Sequence, residues 1–355
     1  MTVSLCMIVK NEEKILGKCL ELARSFADEI IVVDTGSEDG TKRIAETYTD
    51  KIYDFSWTED FAAARNFSFS KASMDYIMWL DADDTIKTED LEKIIELKKI
   101  EEPMFDVVLM KYAVGYDESG RVTAAFYRER LLRRSKNYKW VGAVHEYIEI
   151  SGEILNTDIC IMHAGKKEQT DRNLKILEKA ISLGKPNARE LYYYATELYN
   201  NGKLERAFQY YLKFMNSDEI NPIYVPDACI RLAAYYVKDR KYDEALSILI
   251  RTMEFGIMKP EVLCHIGNLY KEKEDYERAI AWYELIFKLL IPKCDTEMHL
   301  YELGGFIPCV DLCYCYFKLG KFREAVEYNE RAAAFKPDSP IIEYNRRKFR
   351  EAGII

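Results

Sequence analysis

The apolar run Tyr76-Ile77-Met78-Trp79-Leu80 ends abruptly in Asp81-Ala82-Asp83-Asp84, three carboxylates in four residues. The run reads as a buried strand, yet a carboxylate buried in a core costs several kcal/mol unless it is paired or bound to a metal. The acids therefore belong at the strand's C-terminal end, where open α/β sheets form their ligand crevice. Asp81 and Asp83, two residues apart, suit one site, with one carboxylate for a sugar hydroxyl and the other for a divalent cation. Oxygen ligands in short supply suit Mg²⁺ or Mn²⁺, which keep positions for water and for phosphates. The alternative is a strand followed by an acidic helix N-terminus, with Asp84 or Thr85 capping a helix from Lys87 onward.

The residues before this stretch repeat its pattern. Ser4-Leu5-Cys6-Met7-Ile8-Val9 is an apolar run stopped by Lys10-Asn11-Glu12-Glu13, where a helix through Leu16, Cys19, Leu20 and Ala23 begins. Ile30-Ile31-Val32-Val33 ends on Asp34 and a turn-rich loop to Thr41. Ile52-Tyr53-Asp54-Phe55 reads as a third strand, and Ala62-Ala63-Ala64-Arg65-Asn66 opens another helix. Such alternation predicts a largely parallel sheet with helices on both faces. Asn11, Asp34 and Asp81 then converge on one sheet edge. The loop after Asp34 lacks both G-x-G-x-x-G and a G-K-[ST] ending, which excludes a dinucleotide fold or a P-loop.

The chain has 355 residues, enough for two cored domains, with 48% hydrophobic and 31% charged residues. A net charge of −9 makes nucleic acid a poor partner. The nine cysteines lack zinc-site spacing, and Cys309, Cys313 and Cys315 read as small packing residues in a helix. With no signal peptide and no run of ~20 apolar residues for a transmembrane segment, a reducing cytoplasm is expected.

Ser4 to Glu13, Ile30 to Thr41, Ala63-Ala64-Arg65-Asn66 and Leu80 to Asp84 together resemble the family-two inverting glycosyltransferases of GT-A fold. That resemblance implies a nucleotide-sugar donor, usually a UDP-sugar, and Mn²⁺ or Mg²⁺. It implies that Asp34 accepts a hydrogen bond from uracil, that Val9 and Asn11 line the base, and that Arg65 approaches the nucleotide. Asp81 and Asp83 become the family's Asp-x-Asp.

From Met104 to Ile161 the pattern is less regular. Val107 to Met110 and Ala124 to Tyr127 suggest β structure, with a turn at Asp117 to Gly120. Arg128, Arg130, Arg133 and Arg134 form a basic patch, suited to a donor's phosphates, an acidic acceptor or a solvated strand face. In Trp140-Val141-Gly142-Ala143-Val144-His145-Glu146 a glycine permits close backbone approach, and His145-Glu146 offers a base. Repeat-carrying members of the same family resemble this stretch, including Gly-x-Val-His-Glu. Glu146 is the leading general base, with His145 as the alternative or as a residue that orients it. Ile159 to Gly165 is another apolar run with a polar stop, and His163 matches the histidine that completes many GT-A metal sites.

After the charged stretch Gly165 to Arg172 the strand signals vanish. Lys203-Leu204-Glu205-Arg206-Ala207, Lys241-Tyr242-Asp243-Glu244-Ala245, Asp275-Tyr276-Glu277-Arg278-Ala279 and Lys321-Phe322-Arg323-Glu324-Ala325 form a repeat, their alanines 38, 34 and 46 residues apart. A period near 34 resembles tetratricopeptide repeats, and the long third interval implies an insertion around residues 291–305. Stacked repeats leave a concave surface for extended peptides or self-association. Tyr192, Tyr193, Tyr194, Tyr235 and Tyr236 line that surface or fill the repeat core.

The expected plan is an α/β GT-A domain over residues 1–165, a linker and first helix over 166–188, and an all-α tetratricopeptide-like domain over 189–355. The expected activity is metal-dependent, inverting transfer from a UDP-sugar to a peptide or protein acceptor. The two-part plan resembles bacterial peptide S-glycosyltransferases of the sublancin type. The alternatives are a binding scaffold with an inactive transferase domain, a transferase acting on cell-surface glycan, and repeats that serve only to form a homodimer.

Overall fold

The structure, a computed structural model, describes residues 1–117, 120–163, 171–184, 186–288 and 299–355. Most of the expected linker at 165–172 and of the insertion at 291–305, and part of the turn at 117–120, lie outside the described residues. The chain divides into two compact units, the first running from Met1 through Ser182 and the second beginning at Leu183.

The first unit follows the alternation in the sequence. Its elements are β1 (Val3–Val9), α1 (Leu16–Ala23), β2 (Glu29–Asp34), α2 (Thr41–Ala45), β3 (Ile52–Asp54), α3 (Phe61–Ser70) and β4 (Tyr76–Trp79). They are followed by β5 (Asp84–Ile86), α4 (Thr88–Lys98), β6 (Val107–Tyr116), β7 (Val122–Arg133), β8 (Trp140–Val141), β9 (Tyr147–Ile148), β10 (Ile154–His163) and α5 (Arg172–Leu183). The main sheet runs β3-β2-β1-β4-β7-β6-β10-β5. β1 pairs in parallel with β2 and β4, β2 with β3, and β6 with β10. β7 is antiparallel to β4 and β6, and β5 is antiparallel to β10.

Side chains alternate between the two faces of the sheet, as strand geometry requires. Leu5, Met7, Tyr76 and Met78 join one buried cluster with Leu16 and Leu20 of α1 and Ile94 of α4. Cys6, Ile77 and Trp79 join a second cluster with Ala62 and Phe69 of α3 and with Trp140. Both faces are therefore covered, so the strands' polar ends are the places left for chemistry. Val9 lies opposite Asp34 in the parallel register, and Cys6 opposite Trp79, which brings the carboxyl ends of β1, β2 and β4 to one edge.

Two expectations need correction here. Asp84 and Thr85 do not cap a helix: Asp84 opens β5, and α4 begins at Thr88 after Lys87, with no side-chain cap. The physical reason is that the Asp84 carboxylate is already held from the sheet side by Arg130 and Tyr112. The basic patch does not form one solvated strand face either. Arg130 is fully buried, Arg133 pairs with Asp106, and Arg134 donates to the Met74 carbonyl.

The second unit is helical. Its helices are α6 (Ala188–Asn200), α7 (Leu204–Met215), α8 (Val225–Lys238), α9 (Tyr242–Ile250), α10 (Pro260–Glu272), α11 (Tyr276–Ile286), α12 (Phe306–Lys318), α13 (Phe322–Phe335) and α14 (Pro340–Glu351). α6 packs on α7, α8 on α9, α10 on α11 and α12 on α13, with α14 against α13, and the four repeat alanines are buried in α7, α9, α11 and α13. Cys309, Cys313 and Cys315 are buried in α12, as packing residues should be. Tyr192 and Tyr194 are buried, and Tyr235 stacks on Phe208, so much of the tyrosine cluster is repeat core.

All four hairpins turn in the same way. Lys203, Lys241, Asp275 and Lys321 each donate a backbone N–H to the carbonyl five residues back, the closure of a helix that ends in a left-handed residue. That residue is Gly202 and Gly320 in two hairpins but Arg240 and Glu274 in the others, all with φ between 57 and 72°. The turn geometry is thus common to the repeats although the residue is not. A side chain costs ~1–2 kcal/mol in this region of φ. A Cβ added at Gly320 meets nothing within 4 Å, so Gly320→Ala should cost about 1 kcal/mol through the backbone alone. Arg240→Gly should recover up to about the same amount. Chemical denaturation of the two variants checks this, and a neutral Gly320→Ala would contradict it.

Candidate active site

β1 stops at Val9, whose carbonyl accepts from the backbone and the hydroxyl of Thr35 at 2.9 and 3.1 Å. Asn11 follows in the left-handed region, where a short polar side chain is tolerated. It bonds to the loop after β2, accepting from the Glu38 N–H at 2.8 Å while its own N–H donates to Ser37 Oγ at 2.9 Å. Asp34 ends β2 and is 2% exposed. Its Oδ1 accepts from the N–H groups of Gly36 and Ser37 at 2.9 and 2.8 Å. Its Oδ2 is buried and has no hydrogen-bond partner among the described residues, an arrangement that calls for an external donor.

Arg65 joins two of the expected site residues. α3 is started by Asp60, whose carboxylate caps the Ala63 N–H, and one turn on it presents Arg65, which is 8% exposed. Arg65 donates from Nη2 to Asp81 at 2.8 Å and from Nε to Glu146 at 2.7 Å. Its guanidinium lies 4.9 Å from the Trp79 ring and 4.8 Å from the Trp140 ring. Burial alone would favour its neutral form, but Asp81 and Glu146 overcome that and hold it charged. Burial also pushes the Glu146 carboxyl up, yet Arg65 outweighs it and keeps Glu146 below the usual carboxylate range. Glu146 comes from the loop between β8 and β9, which turns through Gly142 and His145, both at positive φ. The Ala143 carbonyl ties that loop to α3 by accepting from Phe61 N–H at 2.9 Å.

Asp83 and His163 meet beside this pair, and Asp84 meets them there too. The antiparallel register of β5 and β10 sets Asp84 directly opposite His163. His163 Nδ1 lies 3.4 Å from Asp83 Oδ1 and 3.6 Å from Asp84 Oδ1. The three residues can bring one ligand atom each within 4.8 Å of one another. Two carboxylates and an imidazole form a donor set suited to Mn²⁺ or Mg²⁺. Asp81, expected in the same metal shell, accepts from Arg65 through its Oδ1.

Several groups here escaped the sequence reading. Glu12 is one: burial raises its carboxyl, and the charges of Asp83, Asp39 and Asp81 raise it further. Tyr112 is another, while Asp84 and Arg130, read above as a helix cap and part of a basic patch, take other parts here. Tyr112 is kept protonated by burial and by the charges of Asp84 and Asp81.

Residues 4–151 match the family described as Glycosyl transferase family 2, and residues 260–289 match the Tetratricopeptide repeat. A TPR repeat-containing protein of Synechococcus elongatus is 27% identical over 94% of this chain and 76% of that protein. The SPbeta prophage-derived glycosyltransferase SunS of Bacillus subtilis is 29% identical over 61% of this chain and 54% of its own length. The lipopolysaccharide core biosynthesis glycosyltransferase LpsC of Rhizobium meliloti is 29% identical over 44% of this chain. That match spans 60% of LpsC, so the chain matches little more than half of either glycosyltransferase. Among the described residues no helix is long and apolar enough to cross a membrane.

The hydrogen bonds to Asp83 and Asp84 raise His163 to about 9, against an ordinary value of 6.5. The protonated imidazole therefore stabilises the metal-free fold fully below about pH 6.5, and that contribution is lost as pH rises through about 9. Melting in EDTA should show the wild type losing a few degrees across this window and His163→Gln losing less. Parallel curves for the two proteins would contradict the pairing.

Proposed function

We propose that this chain, which joins a glycosyl transferase family 2 domain to tetratricopeptide repeats, moves a sugar with inversion from a UDP-sugar to a peptide or protein acceptor, with a divalent metal bound. What carries the proposal is the buried Oδ2 of Asp34, without a hydrogen-bond partner among the described residues, on the sheet edge that also carries Asp81, Asp83 and His163. An imide N–H of uracil is the donor that this oxygen lacks. Val9 and Asn11 flank it, and Asp81 is assigned to a ribose hydroxyl. Asp83 and His163 would hold Mn²⁺ or Mg²⁺, which when bound neutralises charge on the diphosphate leaving group.

Glu146 serves as the base. The acceptor atom attacks the anomeric carbon from the side opposite UDP, the bond from that carbon to the phosphate oxygen breaks, and the acceptor's proton passes to Glu146. With Arg65 holding its carboxyl below the ordinary range, Glu146 is ionised at neutral pH but only weakly basic. Such a base suits an acceptor whose proton is loosely held. A cysteine thiol, already partly ionised near neutral pH, fits this better than a hydroxyl. His145, in the same loop, orients the acceptor or Glu146. The repeats present the acceptor peptide, since stacked repeats form a concave surface suited to an extended chain. A saccharide acceptor is the second possibility, favoured by the likeness to LpsC, whose name assigns it to lipopolysaccharide core biosynthesis.

Glu146→Gln keeps an oxygen for Arg65 but removes the base. It should lower kcat toward a hydroxyl acceptor by about 10²–10⁴-fold and toward the matching thiol peptide by less. UDP-sugar affinity should stay within a few-fold. Steady-state kinetics on a serine and cysteine peptide pair, with an oligosaccharide as third acceptor, checks this. Equal loss of donor binding and turnover would move Glu146 to the donor site, and transfer to the oligosaccharide alone would remove the peptide.

A further inference from the structure

Both carboxylate oxygens of Asp84 are occupied by protein donors. It is 1% exposed. Its Oδ2 accepts from Arg130 Nη1 at 2.9 Å and from the Asp81 N–H at 3.0 Å, and its Oδ1 accepts from the Tyr112 hydroxyl at 3.0 Å. A cation taking either oxygen as a ligand would have to compete with a fully buried guanidinium or with a phenol. Asp83 differs in its burial and its donors. It is partly exposed, and no protein group other than His163 approaches it as a donor among the described residues.

Arg130 owes its position to an irregularity in the sheet. β7 pairs Leu131 with Val108 and Glu129 with Leu109, so Arg130 is the extra residue of a β-bulge. Bulges re-aim a side chain, and this one sends a guanidinium inward. There it lies 3.7 Å from the Trp79 ring and 4.3 Å from the Tyr112 ring, and it also donates to the Trp79 carbonyl at 3.1 Å. A buried ion pair adds little net stability over apolar packing, so its geometric consequence is the informative one. That consequence runs through Tyr112, whose hydroxyl stands 3.0 Å from Asp84 Oδ1 and 2.8 Å from His163 Nδ1.

We propose that Arg130, Asp84 and Tyr112 are positioning residues, a relay that fixes the imidazole of His163 beside Asp83, and that Asp84 is not itself a metal ligand. The proposal rests on the metal site put forward above and assigns its parts: Asp83 and His163 bind, while the relay holds the imidazole ring at one angle. Outer groups that orient a ligating histidine typically change metal affinity by 10–100-fold when removed.

The test uses the full chain and Mn²⁺ alone, titrated by calorimetry, with melting in EDTA as the control for folding. Tyr112→Phe removes one hydroxyl and keeps the ring under Arg130. It should weaken Mn²⁺ binding about 10–100-fold while UDP affinity in EDTA stays at the wild-type value. The paired variant Asp84→Asn with Arg130→Gln removes both buried charges together. It should weaken Mn²⁺ binding by a comparable factor without abolishing it, whereas Asp83→Asn should abolish it. Unchanged Mn²⁺ affinity in Tyr112→Phe overturns the relay. Abolition in the paired variant makes Asp84 a ligand and overturns it as well. Asp83→Asn binding Mn²⁺ like the wild type refutes the metal site itself, and the relay with it.

Discussion

Two buried guanidinium groups hold the acidic sheet edge together. Arg65 bridges Asp81 and Glu146, Arg130 pairs with Asp84, and both lie against the Trp79 ring. Without them, carboxylates from the turn after β4, from β5 and from the loop between β8 and β9 would stand together in a poorly solvated space, which protonation or unfolding would relieve. The division of labour follows from where each cation sits. Arg130 consumes Asp84 and leaves Asp83 open. Arg65 holds the Glu146 carboxyl low and ties its loop to Asp81, just beyond the end of β4.

The repeat unit is built on a different constraint. Its four hairpins share a buried alanine, which lets paired helices approach closely, and a left-handed turn residue that redirects the chain. Because each hairpin cannot bury its apolar face alone, the stack supplies the core from one repeat to the next. Some of the aromatic residues stack between repeats, Tyr192 on Tyr224 and Phe208 on Tyr235 among them.

Much of this was legible in the sequence because the signals are local. An apolar run stopped by a carboxylate marks both a strand and its polar end, so Asp34, Asp81 and Asp83 could be read without knowing the sheet order. The alanine repeat marked the helical hairpins in the same way. What was not legible depends on pairing between distant strands. Asp84 looked like a helix cap until β10 placed His163 opposite it. Arg130 looked like one of several surface cations until the bulge against β6 turned it inward. Glu12 carries no pattern of its own and gains its role only from the acids around it. Arg240 and Glu274 occupy left-handed turn positions that no glycine announces.

The central claim is that these strand ends form one nucleotide site dependent on a divalent cation. Calorimetric titration of the full chain with UDP, in Mn²⁺ and then in EDTA, tests it most directly, with GDP as the comparison. The account predicts that Mn²⁺ tightens UDP binding by about tenfold or more, a difference of ~1.4 kcal/mol or greater, and that GDP binds far more weakly in both conditions. Equal UDP affinity with and without Mn²⁺, or equal affinity for UDP and GDP, would contradict it.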